Sequence, residues 1–150
     1  MIRAIAEGEA EACAHMMAAS EPWVTFGITF EECMARLTNP SREIYVAVDN
    51  AVLGFIILNT QMGPFTGYIQ TICVAPEARG SGVGSQLIAF AEERIFRDGP
   101  NVFLCVSSFN PRARALYERL GYETIGEIRD FLIAGASEIL MRKTRGPLRK

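Results

Sequence analysis

Histidine is nearly absent from this chain: His15 is the only one, and the four cysteines, Cys13, Cys33, Cys73 and Cys105, stand apart with no C-x-x-C pair among them. Structural zinc needs such donors clustered, so no metal is expected. Long hydrophobic runs are lacking too. Nothing approaches the ~18 consecutive apolar residues of a membrane span, and Glu7, Glu9 and Glu11 fall where a secretory leader would be apolar. The expectation is a soluble cytoplasmic protein with reduced thiols and no membrane partner. An excess of positive charge is also missing. Lys and Arg number 15 against 17 Asp and Glu, a formal net charge of −2, which argues against nucleic acid as a partner. The basic stretch at 142–150 reads as a solvated terminus, with a flexible tail over 143–150. What the chain does have is apolar mass: 49% of its 150 residues are hydrophobic. That suits one domain, 1–150, able to bury on the order of 70% of its unfolded surface without a disulfide or metal.

Periodicity and punctuation divide the chain into short elements. Residues 2–5 predict a strand and 7–19 a helix, followed by an aromatic loop over 20–28 that contains Pro22, Trp23 and Phe26. Thr29 and Glu32 form a capping box, opening a helix that stops near Asn39 and Pro40. Segments 44–48 and 52–58 predict a hairpin around Asp49 and Asn50, and 67–74 a strand set apart by the Gly63–Pro64 turn. A helix over 87–96, a near-continuous apolar strand over 102–106, a helix opening at Asn110 and two strands over 123–128 and 138–142 complete the chain. The order β-α-α-β-β-β-α-β-α-β-β predicts an α/β fold with a mixed, twisted sheet flanked by helices.

Between the strand ending at Val74 and the helix lies Arg79-Gly80-Ser81-Gly82-Val83-Gly84-Ser85. Three glycines let the backbone curl without Cβ clashes, and the first N–H groups of the following helix are left unpaired. With the positive end of the helix dipole and the Arg79 guanidinium, they favour a pyrophosphate. The spacing is not a Rossmann fingerprint, because Ser85 stands where its third glycine belongs, and not a Walker A, because no Lys follows Gly84. What remains, Arg79-x-x-Gly82-x-Gly84 after Val74-Ala75-Pro76, resembles the acetyl-CoA pyrophosphate loop of the GNAT superfamily of N-acetyltransferases.

A second motif follows, Asn110-Pro111-Arg112-Ala113-Arg114-Ala115-Leu116-Tyr117-Glu118-Arg119-Leu120-Gly121-Tyr122. Asn110 suits an N-cap, Pro111 the first helical position and Gly121 a left-handed C′ position. Ala113, Leu116, Tyr117 and Leu120 share one face, so on helical spacing alone Tyr117 is a core aromatic. The run is similar to the N-x-x-A-x-x-L-Y-x-x-x-G-[FY] signature of the same superfamily, in which the Asn lies at the bound cofactor and the Tyr hydroxyl approaches its sulfur.

Together the two motifs imply a GNAT-like domain over nearly the whole chain, with acetyl-CoA as acyl donor. By the resemblance, Ile72, Cys73 and Val74 at the strand end, the loop Arg79, Gly80, Ser81, Gly82, Val83, Gly84 and Ser85, and Asn110, Ala113 and Tyr117 hold the cofactor. A backbone N–H near Cys73 or Val74 would polarise the thioester carbonyl, and Tyr117 would act as general acid. The stretch Leu104-Cys105-Val106-Ser107-Ser108-Phe109-Asn110 resembles the ribosomal-protein and protein N-terminal branch, but Cys105 stands where that branch often carries a catalytic Glu. Glu43, Asp130, Gln70 and His15 are weak substitutes, and the base stays unassigned. Trp23, Phe26 and Phe30 on one side and 131–136 on the other are expected near the acceptor, a small-molecule amine or a peptide or protein amino group. Neither Cys73 nor Cys105 has a legible activating base, so direct transfer in a ternary complex is expected. Two readings compete with this enzyme: a non-catalytic acyl-CoA-binding sensor or interaction module, and another nucleotide-binding protein built on the same loop. A monomer and a homodimer are both compatible with the sequence.

Overall fold

Phe55, Ile56, Ile57 and Leu58 have no solvent-exposed surface, and the strand that carries them is central to the fold. The computed structural model describes residues 1–149. Its elements are β1 (Ile2–Ala4), α1 (Ala10–Ala18), α2 (Trp23–Phe26), α3 (Phe30–Leu37), β2 (Glu43–Asp49), β3 (Ala51–Asn59), β4 (Tyr68–Val74), a 3-10 turn (Pro76–Ala78), α4 (Val83–Phe96), β5 (Asn101–Ser107), α5 (Pro111–Arg119), β6 (Glu123–Arg129) and β7 (Ser137–Thr144). The strands form one seven-stranded sheet in the order β1-β2-β3-β4-β5-β7-β6. Every neighbouring pair is antiparallel except β4 and β5, which are parallel.

Because side chains alternate along a strand, each sheet face collects its own core. On one face Ile56, Leu58, Val102, Leu104, Val106, Ile139 and Met141 pack with Leu87, Ile88 and Ala91 of α4 and Tyr117 of α5. On the other, Val46, Phe55, Ile57 and Cys73 pack with Cys13 and Met17 of α1, Trp23 of α2 and Cys33 and Leu37 of α3. β5 is buried along most of its length, as expected of a strand covered on both faces.

Local signals set most boundaries. Thr29 Oγ1 accepts the Glu32 N–H (3.2 Å) to open α3, and Asn110 Oδ1 accepts the Ala113 N–H (3.3 Å) to open α5. Gly121 closes that helix with φ of 100°. Four boundaries differ from expectation, the first being α4, which begins at Val83 rather than residue 87. The aromatic loop contains a helical turn, α2, held by Glu21, which accepts the Thr25 N–H (2.9 Å). α1 begins at Ala10 rather than residue 7, because Glu9 bonds backward to the Ala6 N–H (2.7 Å) and to Arg3 (2.8 Å). The expected tail from 143 is shorter: Lys143 and Thr144 pair with β5, the Arg145 N–H donates to the Pro100 carbonyl (2.8 Å), and the Arg145 guanidinium lies over Phe96. Lys150 lies outside the described residues.

Candidate active site

The site begins with a break in the sheet. β4 and β5 pair only at Tyr68 with Phe103 and Ile69 with Leu104, then part. Beyond that point β4 is paired with β3 alone, up to Val74 opposite Gly54. The Ala75 N–H donates to the Leu53 carbonyl (2.8 Å). Alternation along the antiparallel ladder then turns the backbone of Cys73 toward Phe55 and that of Ile72 and Val74 into the gap. Cys73 is therefore the wrong residue of the expected pair to supply a donor there; its side chain also lies in the helix-covered core behind the sheet, 3.7 Å from Ser20 Oγ.

The glycine loop stands at the end of β4. Gly80 and Gly82 have φ of 80° and 89°, which only glycine adopts freely. The first bond of α4 runs from the Gln86 N–H to the Gly82 carbonyl (3.0 Å), so the N–H groups of Val83, Gly84 and Ser85 have no partner within the helix. A Cβ at Gly84 would meet only Val74 Cγ2 at 3.6 Å, an ordinary contact. Its bare surface is thus not demanded by packing and suits the close approach of a phosphate group. The Arg79 guanidinium is placed differently from expectation. Nε donates to the Val74 carbonyl (3.2 Å) and Nη2 to Ser20 Oγ (3.1 Å). The parted strands leave that carbonyl without a ladder partner, and Arg79 supplies one. Ser81 Oγ donates to the Ala78 carbonyl and so stiffens the loop entrance.

Along the gap runs a cavity of about 540 Å³ lined by Ile72, Asn110, Ala113 and Tyr117, and on its other walls by Trp23, Phe26, Arg36, Tyr68, Gln70, Thr71, Cys105, Ser107, Phe131, Leu132 and Glu138. Ile72 of the expected strand end thus meets Asn110, Ala113 and Tyr117 of the expected helix in one space, whereas Cys73, Val74 and the loop 79–85 are not among its lining residues. Tyr117 is 8% exposed, and burial pushes its hydroxyl up to about 12, so it stays protonated through any working pH. Thr71 Oγ1 is buried in the same region with no partner, an unspent polar group of the kind that a ligand or water satisfies.

The weak base candidates fall away for distinct reasons. Glu43 accepts from Arg94 (2.7 and 2.8 Å) and from the Tyr45 hydroxyl (2.6 Å); burial pushes it up, but these donors prevail and hold it below its ordinary value. Asp130 is exposed and caps its own loop by accepting the Gly135 N–H (2.7 Å). His15 is exposed and stacks on Phe30 at 4.4 Å, so neither residue reaches the cavity. Gln70 does line it, with Oε1 held by Arg42 Nε (2.7 Å). Burial drives the Cys73 thiol up to about 11 and raises that of Cys105, which leaves both poor nucleophiles.

Sequence reasoning missed two wall residues. Glu138 is the second residue of the last strand, is 7% exposed, and is raised by burial while the Ser107 hydroxyl pulls it down. Arg36 faces the cavity from α3 with no ion pair or side-chain hydrogen bond among the described residues. The signal for Glu138 was a carboxylate inside an apolar strand, but only the pairing of β7 with β5 shows which space it enters.

The family model described as Acetyltransferase (GNAT) family matches residues 9–122. The chain belongs to this family of acetyltransferases, and it is an enzyme of the acyltransferase class. It is 34% identical over 80 residues to Acetyltransferase Atu2258 of Agrobacterium fabrum, covering 53% of this chain and 56% of that one, so that match spans little more than half the relative. Over 97% of its length it is 28% identical to N-alpha-acetyltransferase RimI of Mycobacterium tuberculosis, of which 92% is covered. Among solved structures, an aminoglycoside 6'-N-acetyltransferase complexed with coenzyme A superposes with a TM-score of 0.79 at 21% identity, covering 100% of this chain and 99% of that one. That likeness shows the fold.

Proposed function

We propose that this protein transfers the acetyl group of acetyl-CoA directly to a primary amine within a ternary complex. The observation that carries the reading is the parting of β4 from β5, which leaves the backbone of Ile72 and Val74 unpaired in the gap, with Ile72 meeting Asn110, Ala113 and Tyr117 in the lining of one cavity. The N–H groups of Gly82, Val83, Gly84 and Ser85 and the α4 dipole would hold the pyrophosphate. The gap-facing backbone of β4 would hold the pantetheine arm as an added strand, and one of its N–H groups would polarise the acyl carbonyl. Acetyl-CoA supplies an activated acyl group on a leaving thiol whose reference pKa is roughly 8.5.

Tyr117 Oη holds a proton for the departing sulfur. Its raised pKa makes complete transfer to a thiolate uphill, so its contribution is a hydrogen bond donated as charge builds on sulfur, and the proton that converts the thiolate to the thiol is the one lost from nitrogen as the amide forms. The high thiol pKa values of Cys73 and Cys105 favour direct transfer over an acylated enzyme.

The walls also narrow the acceptor. A polycation needs several carboxylates, yet the lining has only Glu21 and Glu138, and Glu21 is already engaged by Thr25 (2.7 Å). The unpaired Arg36 favours an amine that also carries an anionic group, such as an amino acid or peptide. Release of thiol from acetyl-CoA, measured over matched amines with and without a carboxylate or phosphonate, tests this. Anionic amines should turn over best, and Arg36→Glu should raise their KM about tenfold or more, on the order of one lost charge-assisted contact. Equal turnover of neutral amines and polyamines by both proteins would contradict the acceptor class.

A further inference from the structure

We propose that Glu138 of β7 stands in for the carboxylate missing from β5 and is the base that takes a proton from the acceptor's ammonium group. The proposal rests on the acetyltransferase reading above and deepens it.

Strand register places Glu138 beside the gap. Ser107 lies opposite Glu138, and Cys105 opposite Leu140. Directly opposed side chains share a sheet face, and the diagonal neighbour lies ~7–8 Å away between Cα atoms. Ile139 and Met141 point into the α4 side of the sheet, so alternation sends Glu138 to the opposite face, together with Cys105 and Ser107. A carboxylate on β7 therefore enters the same space as one at position 105 would, from the neighbouring strand.

Burial without a cation sets this residue apart. The other carboxylates drawn into the protein each have a basic partner: Glu9 with Arg3 at 2.8 Å, Glu43 with Arg94 at 2.7 Å and Glu92 with Lys143 at 3.0 Å. Among the described residues Glu138 has none, although it is less exposed than any of these. A buried carboxylate left unpaired costs stability, and such costs concentrate at functional sites. Its charged and titratable surroundings are Cys105 on β5 and Tyr68 on β4, both neutral at working pH because burial raises them, with Arg36 of α3 and Glu21 before α2 on the farther cavity wall. An arriving ammonium would be the counter-charge that the site lacks.

The step balances simply. One N–H bond of the ammonium breaks, its electron pair stays on nitrogen, and the proton passes to a carboxylate oxygen of Glu138. That proton later leaves to solvent. The net change is ammonium plus acetyl thioester to amide, thiol and one released proton.

The test is the isosteric Glu138→Gln variant, read by kcat, KM, acetyl-CoA affinity and the pH profile on an amine that the wild type acetylates. Turnover should fall about 100-fold or more, within the range typical of a lost general base, with acetyl-CoA affinity unchanged and the lower limb of the pH profile abolished. The double variant Cys105→Glu/Glu138→Gln should recover much of the loss by returning a carboxylate to β5. Infrared difference titration should show one carboxyl above the ordinary carboxylate range in the wild type and none in Glu138→Gln. A variant that keeps kcat and the pH limb while only KM rises would make Glu138 an anchor and overturn the proposal. No rescue in the folded double variant, together with an unaltered pH limb, would overturn it as well. A wild type that acetylates no amine removes the enzyme reading itself, a different failure from an active Glu138→Gln variant.

Discussion

The two sides of the β4–β5 gap are built by different rules. The proposed donor side is local: the loop from Arg79 to Ser85 is contiguous, and Asn110, Ala113 and Tyr117 lie within three turns of one helix. Its requirements are backbone requirements, positive φ at Gly80 and Gly82 and free N–H groups at the start of α4. The proposed acceptor side is assembled from distant segments, with Trp23 from α2, Arg36 from α3, Tyr68 from β4, Ser107 from β5, Phe131 from the loop after β6 and Glu138 from β7. On the proposed function, a cofactor common to many enzymes would be held by geometry that short motifs encode, and a particular acceptor would be met by side chains that only the fold brings together.

Substitutions separate the two sides. The largest effect is expected at Gly84. A Cβ fits there in the free protein, so Gly84→Val should fold with little change in Tm, yet acetyl-CoA affinity should fall on the order of 100-fold as the methyl groups fill the space above the helix N–H groups. Calorimetric titration reads this, and an unchanged affinity would remove the loop from the binding site. Tyr117→Phe should lower turnover by about 100-fold with unchanged acetyl-CoA affinity; equal turnover would return Tyr117 to the core role that its helical spacing first suggests.

Stability gives a third contrast. Burial raises the Glu138 pKa, so the folded state binds its proton more tightly than the unfolded chain does. Stability is then lost as pH rises from the ordinary carboxylate range through the folded value. Glu138→Gln should therefore melt above the wild type at neutral pH, with the difference vanishing under acid conditions. A lower melting temperature at neutral pH would mark the carboxylate as structural. The smallest effect lies far from the gap: Thr29→Ala removes the cap of α3 and should cost about 1 kcal/mol, a fall in Tm of a few degrees by thermal melting, without altering acetyl-CoA affinity.

Legibility followed the same division. The strand pattern, the capped helices and the glycine turn before α4 could be read because each depends on neighbours in sequence: Thr29 with Glu32, Asn110 with Ala113, Gly82 with the turn it opens. The turn of α2 was hidden because it is held by the Glu21 side chain on the Thr25 N–H, inside the segment 20–28 that reads as an aromatic loop. Arg79 was legible as part of a motif but not in its placement, which answers to a carbonyl exposed by the parting of two strands. Glu138 was hidden most deeply. Its environment depends on β7 entering between β5 and β6, an order that the chain sequence does not follow.

The account turns on the gap beyond Tyr68 and Ile69 being the seat of an acyl-CoA. Titrating acetyl-CoA, CoA, ATP and NAD separately into the wild type and Gly84→Val by calorimetry tests it most directly. The account predicts one-to-one binding of acetyl-CoA and CoA to the wild type, weak or no binding of ATP and NAD, and loss of the signal in Gly84→Val. Absence of CoA binding by folded wild-type protein freed of co-purified ligand, or equal binding by the variant, would contradict it.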